Sequence, residues 1–331
     1  MRTRDGGWVG RLLALGRAVV ARPEPAEAGK IFAPDFLAML ERLRLVALRA
    51  LGGGLREGHR LGAYKGGQLE FHGHRSYTPG DELRYVDWNS YARLGRPHVK
   101  EFAREEAGVL HLLLDATPSM ALGQPSKWTF ARRVAALFVH VALSSRDVAR
   151  VYVFRGPERE FEQFPARGAK AGTGAFLSFL EAGRVAAIEN RKSKIENALA
   201  SAVSGFLRAS PARGRVIVIS DFWQEEPELV AAVARLAGAR FDVAAIHCLA
   251  PEELQPQVEG ELLARSLEEE GEVELSAGGD FPARYAQELE AHCRAVEETF
   301  RRRGGNYLRA SSDTSIERVL ITALRQRRWV A

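Results

Sequence analysis

An α/β fold built on a doubly wound, mostly parallel sheet is predicted by three features of this 331-residue chain. The first is an apolar run, Val109 to Leu114, that ends in a carboxylate at Asp115. Such a run, with no polar alternation, suits a strand buried on both faces. The second is its counterpart, Arg215-Val216-Ile217-Val218-Ile219-Ser220-Asp221, which also ends in an acid. The third is the regular alternation of strand and helix patterns from Val109 onward, which implies crossover connections and a sheet covered on both sides.

Residues 1–33 read as a lead-in, because Pro23-Glu24-Pro25 interrupts any helix begun near Trp8. Residues 34–105 read as an N-terminal helix plus a β-rich subdomain. Pro34-Asp35 opens that helix, and Phe36, Leu37, Leu40, Leu43, Val46, Ala47 and Leu51 recur at helical spacing until Gly52-Gly53-Gly54. Between Tyr64 and Lys100 the texture is rich in glycine, aromatics and charge, and Thr78-Pro79-Gly80-Asp81 marks a turn. Residues 106–331 form the main domain. Its pattern predicts strand 109–115, helix 127–144, strand 148–154, a short strand near 160–164, helix 173–183, helix 194–208, strand 215–220, helix 227–238 and strand 242–249. A hairpin pairing 260–266 with 271–276 follows, then helix 281–303, strand 306–310 and helix 314–326.

Composition excludes several classes. Lys and Arg outnumber Asp and Glu by 47 to 42, and the isoelectric point near 9.3 permits acidic partners without arguing for them. No aromatic-interleaved basic platform accompanies that charge, so nucleic acid is a poor fit. Its strongest form would use Arg75, Arg84, Arg93 and Arg96 as a recognition surface. Cys248 and Cys293 lie far apart and make neither a zinc pattern nor a disulfide framework, which suits a reducing cytoplasm. Cys248 ends the run Val243–Leu249 and reads as a small buried hydrophobe. The longest apolar stretch near the start, Trp8 to Ala21, is broken by Arg11 and Arg17 and is too short to span a bilayer. The P-loop, nucleophile-elbow and His-Glu-x-x-His signatures are missing from the sequence.

The candidate site follows from the strand ends. In open α/β sheets ligands sit beyond the carboxyl ends of the strands. Asp115, Thr117 and Ser119 alternate along the exit from one strand, so their oxygens can converge on one point. Asp221 lies at the end of another strand, and the set would suit a hard cation such as Mg²⁺. A few carboxylates and several hydroxyls would leave the ion net positive, with a position open to a partner's acid. Between the two strands a further hydroxyl is expected from Ser193, with Thr173 as runner-up. The plainer alternatives are that Asp115 and Ser119 fix a turn or cap the helix at Lys127, that Asp221 caps the helix at Pro227, and that Ser193 is an N-cap. Acids and arginines of the segment 70–93 read as bidentate pairs that fasten a small sheet. His72 and His74 share a strand face but lack a third metal ligand. Asp115 could also serve a metal-dependent hydrolase or phosphotransferase, a reading opposed by the lack of an obvious general base.

Together, Gly67-x-x-Glu70-Phe71, Arg75-x-Tyr77, Gly80-Asp81-x-x-Arg84, Asp87-Trp88, Ala92-Arg93, Lys100-Glu101-Phe102 and the Asp115-x-Thr117-x-Ser119 loop resemble the domain-of-unknown-function-58 family of bacterial proteins. Tyr285 in the late helix and Ser312-Asp313 before the last one extend the resemblance from about residue 36 to the C-terminus. It implies a von Willebrand factor A-like domain and a metal-ion-dependent adhesion site made of Asp115, Thr117, Ser119 and Asp221, with Ser193 at the family's middle hydroxyl. It further implies a non-enzymatic adaptor acting with a MoxR-type AAA+ ATPase, or with a client presenting Asp or Glu, in maturation of protein complexes. Many relatives carry N-terminal membrane spans; this chain has none, so a cytoplasmic version is implied.

Overall fold

The computed structural model describes residues 31–52, 69–104, 108–156, 162–165, 171–186, 198–209, 211–256, 261–265, 272–276 and 281–325. Helix α1 (Pro34–Gly52) is followed by β1 (Leu69–Ser76), α2 (Trp88–Leu94) and β2 (His98–Arg104). Then come β3 (Val109–Asp115), α3 (Lys127–Ser144), β4 (Val148–Phe154), β5 (Glu162–Phe164), α4 (Thr173–Ala182) and α5 (Ala198–Arg208). Next are β6 (Arg215–Ser220), α6 (Glu226–Gly238), β7 (Asp242–Leu249) and the single turn α7 (Pro251–Leu254). The hairpin β8 (Glu261–Arg265) and β9 (Glu272–Ser276) precedes α8 (Phe281–Arg301), β10 (Asn306–Ser311) and α9 (Ile316–Arg325).

Six strands form the central sheet in the order β10-β7-β6-β3-β4-β5. All pairs are parallel except the short β5, which runs antiparallel on β4. Counted along the chain this is the doubly wound order 3-2-1-4-5-6, whose strand sequence reverses between β3 and β6. The strands read as continuous apolar runs because both faces are covered. On one face Leu113, Tyr152, Val216, Val218, Val243 and Ala245 pack with Leu199, Val203 and Phe206 of α5, Leu229, Val233 and Leu236 of α6, and Val296 and Phe300 of α8. The alternate residues Leu112, Leu114, Val151, Val153, Ile217 and Ile219 are equally buried, and strand periodicity puts them on the opposite face, where α3 packs with β3, β4, α4 and α9.

The domain boundary differs from the sequence expectation. The chain up to Leu48 groups with Gly108–Ala331, while Arg49–Ala107 forms a second compact unit. Helix α1, assigned above to the β-rich subdomain, therefore belongs to the main unit over most of its length. The reason is its apolar face: Leu40, Leu43 and Ala47 are buried. Polar contacts add to this, with His140 Nε2 3.4 Å from Glu41 and Arg133 over the Phe36 ring at 6.0 Å.

In the second unit, β1 and β2 pair antiparallel, with a register irregularity between Phe71 and Gly73. Arg75 grips Asp81 in bidentate fashion at 2.7 and 2.6 Å, and Asp81 also accepts from the Thr78 backbone N–H at 2.8 Å. Asp87 caps α2 by accepting from the Asn89 and Ser90 amides, and its other oxygen accepts from His74 Nε2 at 2.7 Å. The clasp role expected for these acids and arginines is what the side chains perform. The side chain of His72 lies outside the described residues. Arg84 pairs with Glu82 and Arg93 Nε donates to the Asn89 carbonyl at 3.4 Å, so three of the four arginines of the nucleic-acid reading, Arg75, Arg84 and Arg93, are engaged within the unit.

Candidate functional site

Leu112, Leu113 and Leu114 bury β3 and carry Asp115 to the C-terminal rim of the sheet, where it is 4% exposed. Asp115 Oδ1 accepts from the Thr117 backbone N–H at 2.9 Å and from Thr117 Oγ1 at 2.7 Å. Thr117 has one hydroxyl proton and gives it to Asp115, so Ser119 Oγ, 3.2 Å away, is the donor in that contact. Pro118 opens a 3₁₀ turn over Pro118–Ala121 that swings Ser119 back toward Thr117. The three residues expected to converge therefore do so, in a relay of hydrogen bonds from Ser119 through Thr117 to Asp115. The turn-fixing alternative for Asp115 describes the same bonds. The N-cap of α3, in contrast, is Ser126, which accepts from Thr129 N.

The neighbouring strand contributes differently from expectation. Ser220, the last residue of β6, donates to Asp115 Oδ2 at 2.6 Å and accepts from the Phe222 amide at 3.0 Å. Asp221 sits at the same rim but is held by Lys127, whose Nζ donates to Asp221 Oδ2 at 2.7 Å. Phe222 takes φ of 50°, a left-handed conformation unusual for a bulky residue and a mark of local strain. Its ring is seated between His247 and Phe300 at 5.4 and 5.6 Å. The helix-cap alternative for Asp221 falls away, since the N-cap of α6 is Glu225. Thr173 is the first residue of α4, after the N-cap Gly172. Ser193 lies outside the described residues.

Besides Ser220, sequence reasoning missed Lys127 and Glu253 at the rim. Lys127 is completely buried and also donates to Glu253 Oε1 at 2.6 Å. Glu253, on α7 just past β7, accepts from Trp223 Nε1 at 3.2 Å and from the Ala250 amide at 2.6 Å, while its backbone carbonyl accepts from Tyr285 OH at 2.8 Å. The local sequence signal was slight, a lysine at the first position of a helix that also carries Arg132, Arg133 and His140.

The electrostatics follow from burial. Asp115 is raised from 3.8 to about 7, first because desolvation penalises its charge and second because Asp221 repels it; the bonds from Ser220 and Thr117 only partly offset this. Glu253 is likewise raised, by burial above all. Burial alone would lower Lys127, but Asp221 and Glu253 override it and hold the ammonium charged. With all three acids ionised, one ammonium leaves two negative charges uncompensated in a dry rim. Cys248 beside it is a free buried thiol, pushed up mainly by burial, as expected for a small core residue.

Among the described residues, no cluster of three or more His, Cys, Asp and Glu side chains is shaped to hold a metal ion. The convergent donors are instead one carboxylate and three hydroxyls, from Asp115, Thr117, Ser119 and Ser220. Hard divalent cations take all-oxygen sets of this kind, so the donors of the β3 loop fit such an ion. Asp221, already paired with Lys127, does not stand free beside them.

Residues 73–295, more than half of the chain, match the family described as "Protein of unknown function DUF58". The chain belongs to that family. Relatives from Mycobacterium tuberculosis (Uncharacterized protein Rv1480) and Mycobacterium bovis (Uncharacterized protein Mb1516) are each 26% identical over 299 residues, spanning 89% of this chain and 90% of theirs. Among solved structures, similarity extends to the conserved hypothetical protein BatB from Bacteroides thetaiotaomicron, at a TM-score of 0.42 and 21% identity, covering 66% of this chain and all of that one. The SpRpn10 VWA domain aligns at a TM-score of 0.39 and 10% identity, covering 65% of this chain and 94% of that domain. The sheet described above, parallel but for one short edge strand and covered by helices on both faces, is the doubly wound α/β arrangement expected from the sequence. No described helix is long and apolar enough to cross a membrane.

Proposed function

We propose that this DUF58 member is a non-enzymatic binding module of the cytoplasm, which docks a partner's Asp or Glu at the C-terminal rim of its sheet. Asp115, Thr117 and Ser119 would hold a divalent cation such as Mg²⁺, with Ser220 supporting Asp115 and Asp221 set behind it on Lys127. The cation would supply a positive charge that an incoming carboxylate can complete. The partner class is that implied by the family resemblance, a MoxR-type AAA+ ATPase or one of its acidic clients. The place of Ser193 in the ligand set rests on that resemblance alone.

One observation carries this reading: a carboxylate and three hydroxyls meet at the point where the strand order reverses, inside a cluster short of positive charge. Uncompensated charge in a dry environment is costly, so the rim has an affinity for a cation that its turn-stabilising bonds do not satisfy. The alternative of an Asp115 nucleophile is weakened because both carboxylate oxygens already accept hydrogen bonds in a buried setting.

The experiment is affinity capture of the candidate ATPase by the full chain, with Mg²⁺ and with EDTA, beside Asp115→Ala. Capture should require Mg²⁺ and be lost in the variant. Equal recovery in all arms sinks the proposal, and Asp115-dependent turnover in a phosphatase screen would replace it.

A further inference from the structure

We infer that Lys127 is a built-in cation, a tethered ammonium that stands where Asp221 and Glu253 would otherwise require a metal ion of their own. This goes beyond the docking reading and is independent of whether Asp115 holds an ion.

The geometry is that of a charge centre rather than a surface ion pair. Lys127 Nζ lies 2.7 Å from Asp221 Oδ2 and 2.6 Å from Glu253 Oε1, and the three side chains are 0, 3 and 0% exposed. They come from three separate elements, the first residue of α3, the exit of β6 and the turn α7. Two acids from different strand ends converging on one cation is the arrangement a metal imposes. Here the chain supplies the charge itself. The remaining acceptor capacity of Glu253 is met by Trp223 and Ala250, so its carboxylate is surrounded by donors on both oxygens. Tyr285 fixes the same turn from α8.

The rim thus divides in two. In one half a single ammonium is shared between Asp221 and Glu253. In the other, Asp115 receives only neutral donors, from Thr117 and Ser220. Lys127 is then a positioning residue: it draws Asp221 away from the β3 loop and leaves Asp115 to neutral donors.

Lys127→Met keeps the buried stem and removes the charge. In EDTA its melting temperature should fall by roughly 10 °C, the scale of an opened buried ion pair in a chain of this size. Mn²⁺ alone should reverse most of the fall. Mn²⁺ binding followed by electron paramagnetic resonance should count one more ion per chain than in the wild type, while Lys127→Arg should match the wild type. A folded Lys127→Met that gains no Mn²⁺ site and no Mn²⁺-dependent shift overturns the inference.

If Lys127→Met does not fold, Lys127→Met with Glu253→Gln leaves a single acid in this half. Folding of that double variant without Mn²⁺ supports the inference, and its failure to fold overturns it. A wild type that binds no Mn²⁺ beside a Lys127→Met that binds one would end the docking proposal and sustain this one.

Discussion

Asp81 and Asp115 are the same residue under opposite conditions. Asp81, on the turn of the small unit, is held near 2 by the Arg75 guanidinium and next by the Thr78 amide. Asp115, at the sheet rim, is pushed to about 7 by burial and by its neighbour Asp221. One is a finished contact and the other is a standing demand for positive charge. Perturbed carboxylates of the second kind mark sites, whereas paired ones near the surface mark architecture. Lys127 shows the intermediate case, in which the fold meets the demand from within.

The largest effect expected is from Glu253→Ala, which strips acceptors from Lys127, Trp223 and the Ala250 amide at once. Opening a buried, hydrogen-bonded ion pair costs about 3–5 kcal/mol, and urea melts should show that loss. A change below about 1 kcal/mol would place the pair among weakly coupled surface charges and dissolve the contrast.

Second in size is Asp115→Asn. The folded value of Asp115 lies above its ordinary value, so its contribution to stability is full below pH 3.8 and is lost as pH rises through about 7. Metal-free wild type should therefore weaken between pH 4 and 7, by on the order of a few kcal/mol. The variant should lack that slope and be the more stable protein at pH 8. Parallel pH profiles for the two proteins would refute the assignment. Third is Gly123→Ala, at φ of 96°, where a Cβ would come within 2.9 Å of Ala250 Cβ and 3.1 Å of the Pro125 carbonyl. Strain of this kind costs about 1–3 kcal/mol. The loss should be the same from pH 5 to 8, which separates backbone fit from charge at the same rim.

The sheet and its convergent β3 loop were legible because their signals are local. Continuous apolar runs declare buried parallel strands, and the alternation Asp115, Thr117, Ser119 aims three oxygens one way within five residues. The division of labour between Ser220 and Asp221 was not legible. Neighbouring residues leaving a strand diverge, and it is Ser220 that meets Asp115 while Asp221 meets Lys127. Lys127 was hidden for a different reason. Helix periodicity gives its position but not its burial, which exists only because Asp221 and Glu253 arrive from 94 and 126 residues away. Helix α1 was misgrouped because sequence proximity to the β-rich segment says nothing about which core its apolar face joins.

The smallest effect sharpens the comparison most. Asp81→Asn removes a charge but keeps an oxygen for the Thr78 amide, and Arg75 is partly open to solvent, which screens the pair. At pH 7 the unfolding transition should fall only slightly, by as much as the acidic limb contributes, while the Arg75 side-chain resonances should lose their protection from solvent. The sign of its pH dependence is opposite to that of Asp115. A lowered carboxylate contributes stability above pH 3.8 and loses it as pH falls through about 2. Wild type should thus gain stability from pH 2 to 4 through groups like Asp81 and lose it from 4 to 7 through Asp115. Asp81→Asn should flatten only the acidic limb and Asp115→Asn only the neutral one. If either variant flattened both limbs, the two carboxylates would belong to one coupled system, and the separation of clasp from sheet rim would fail.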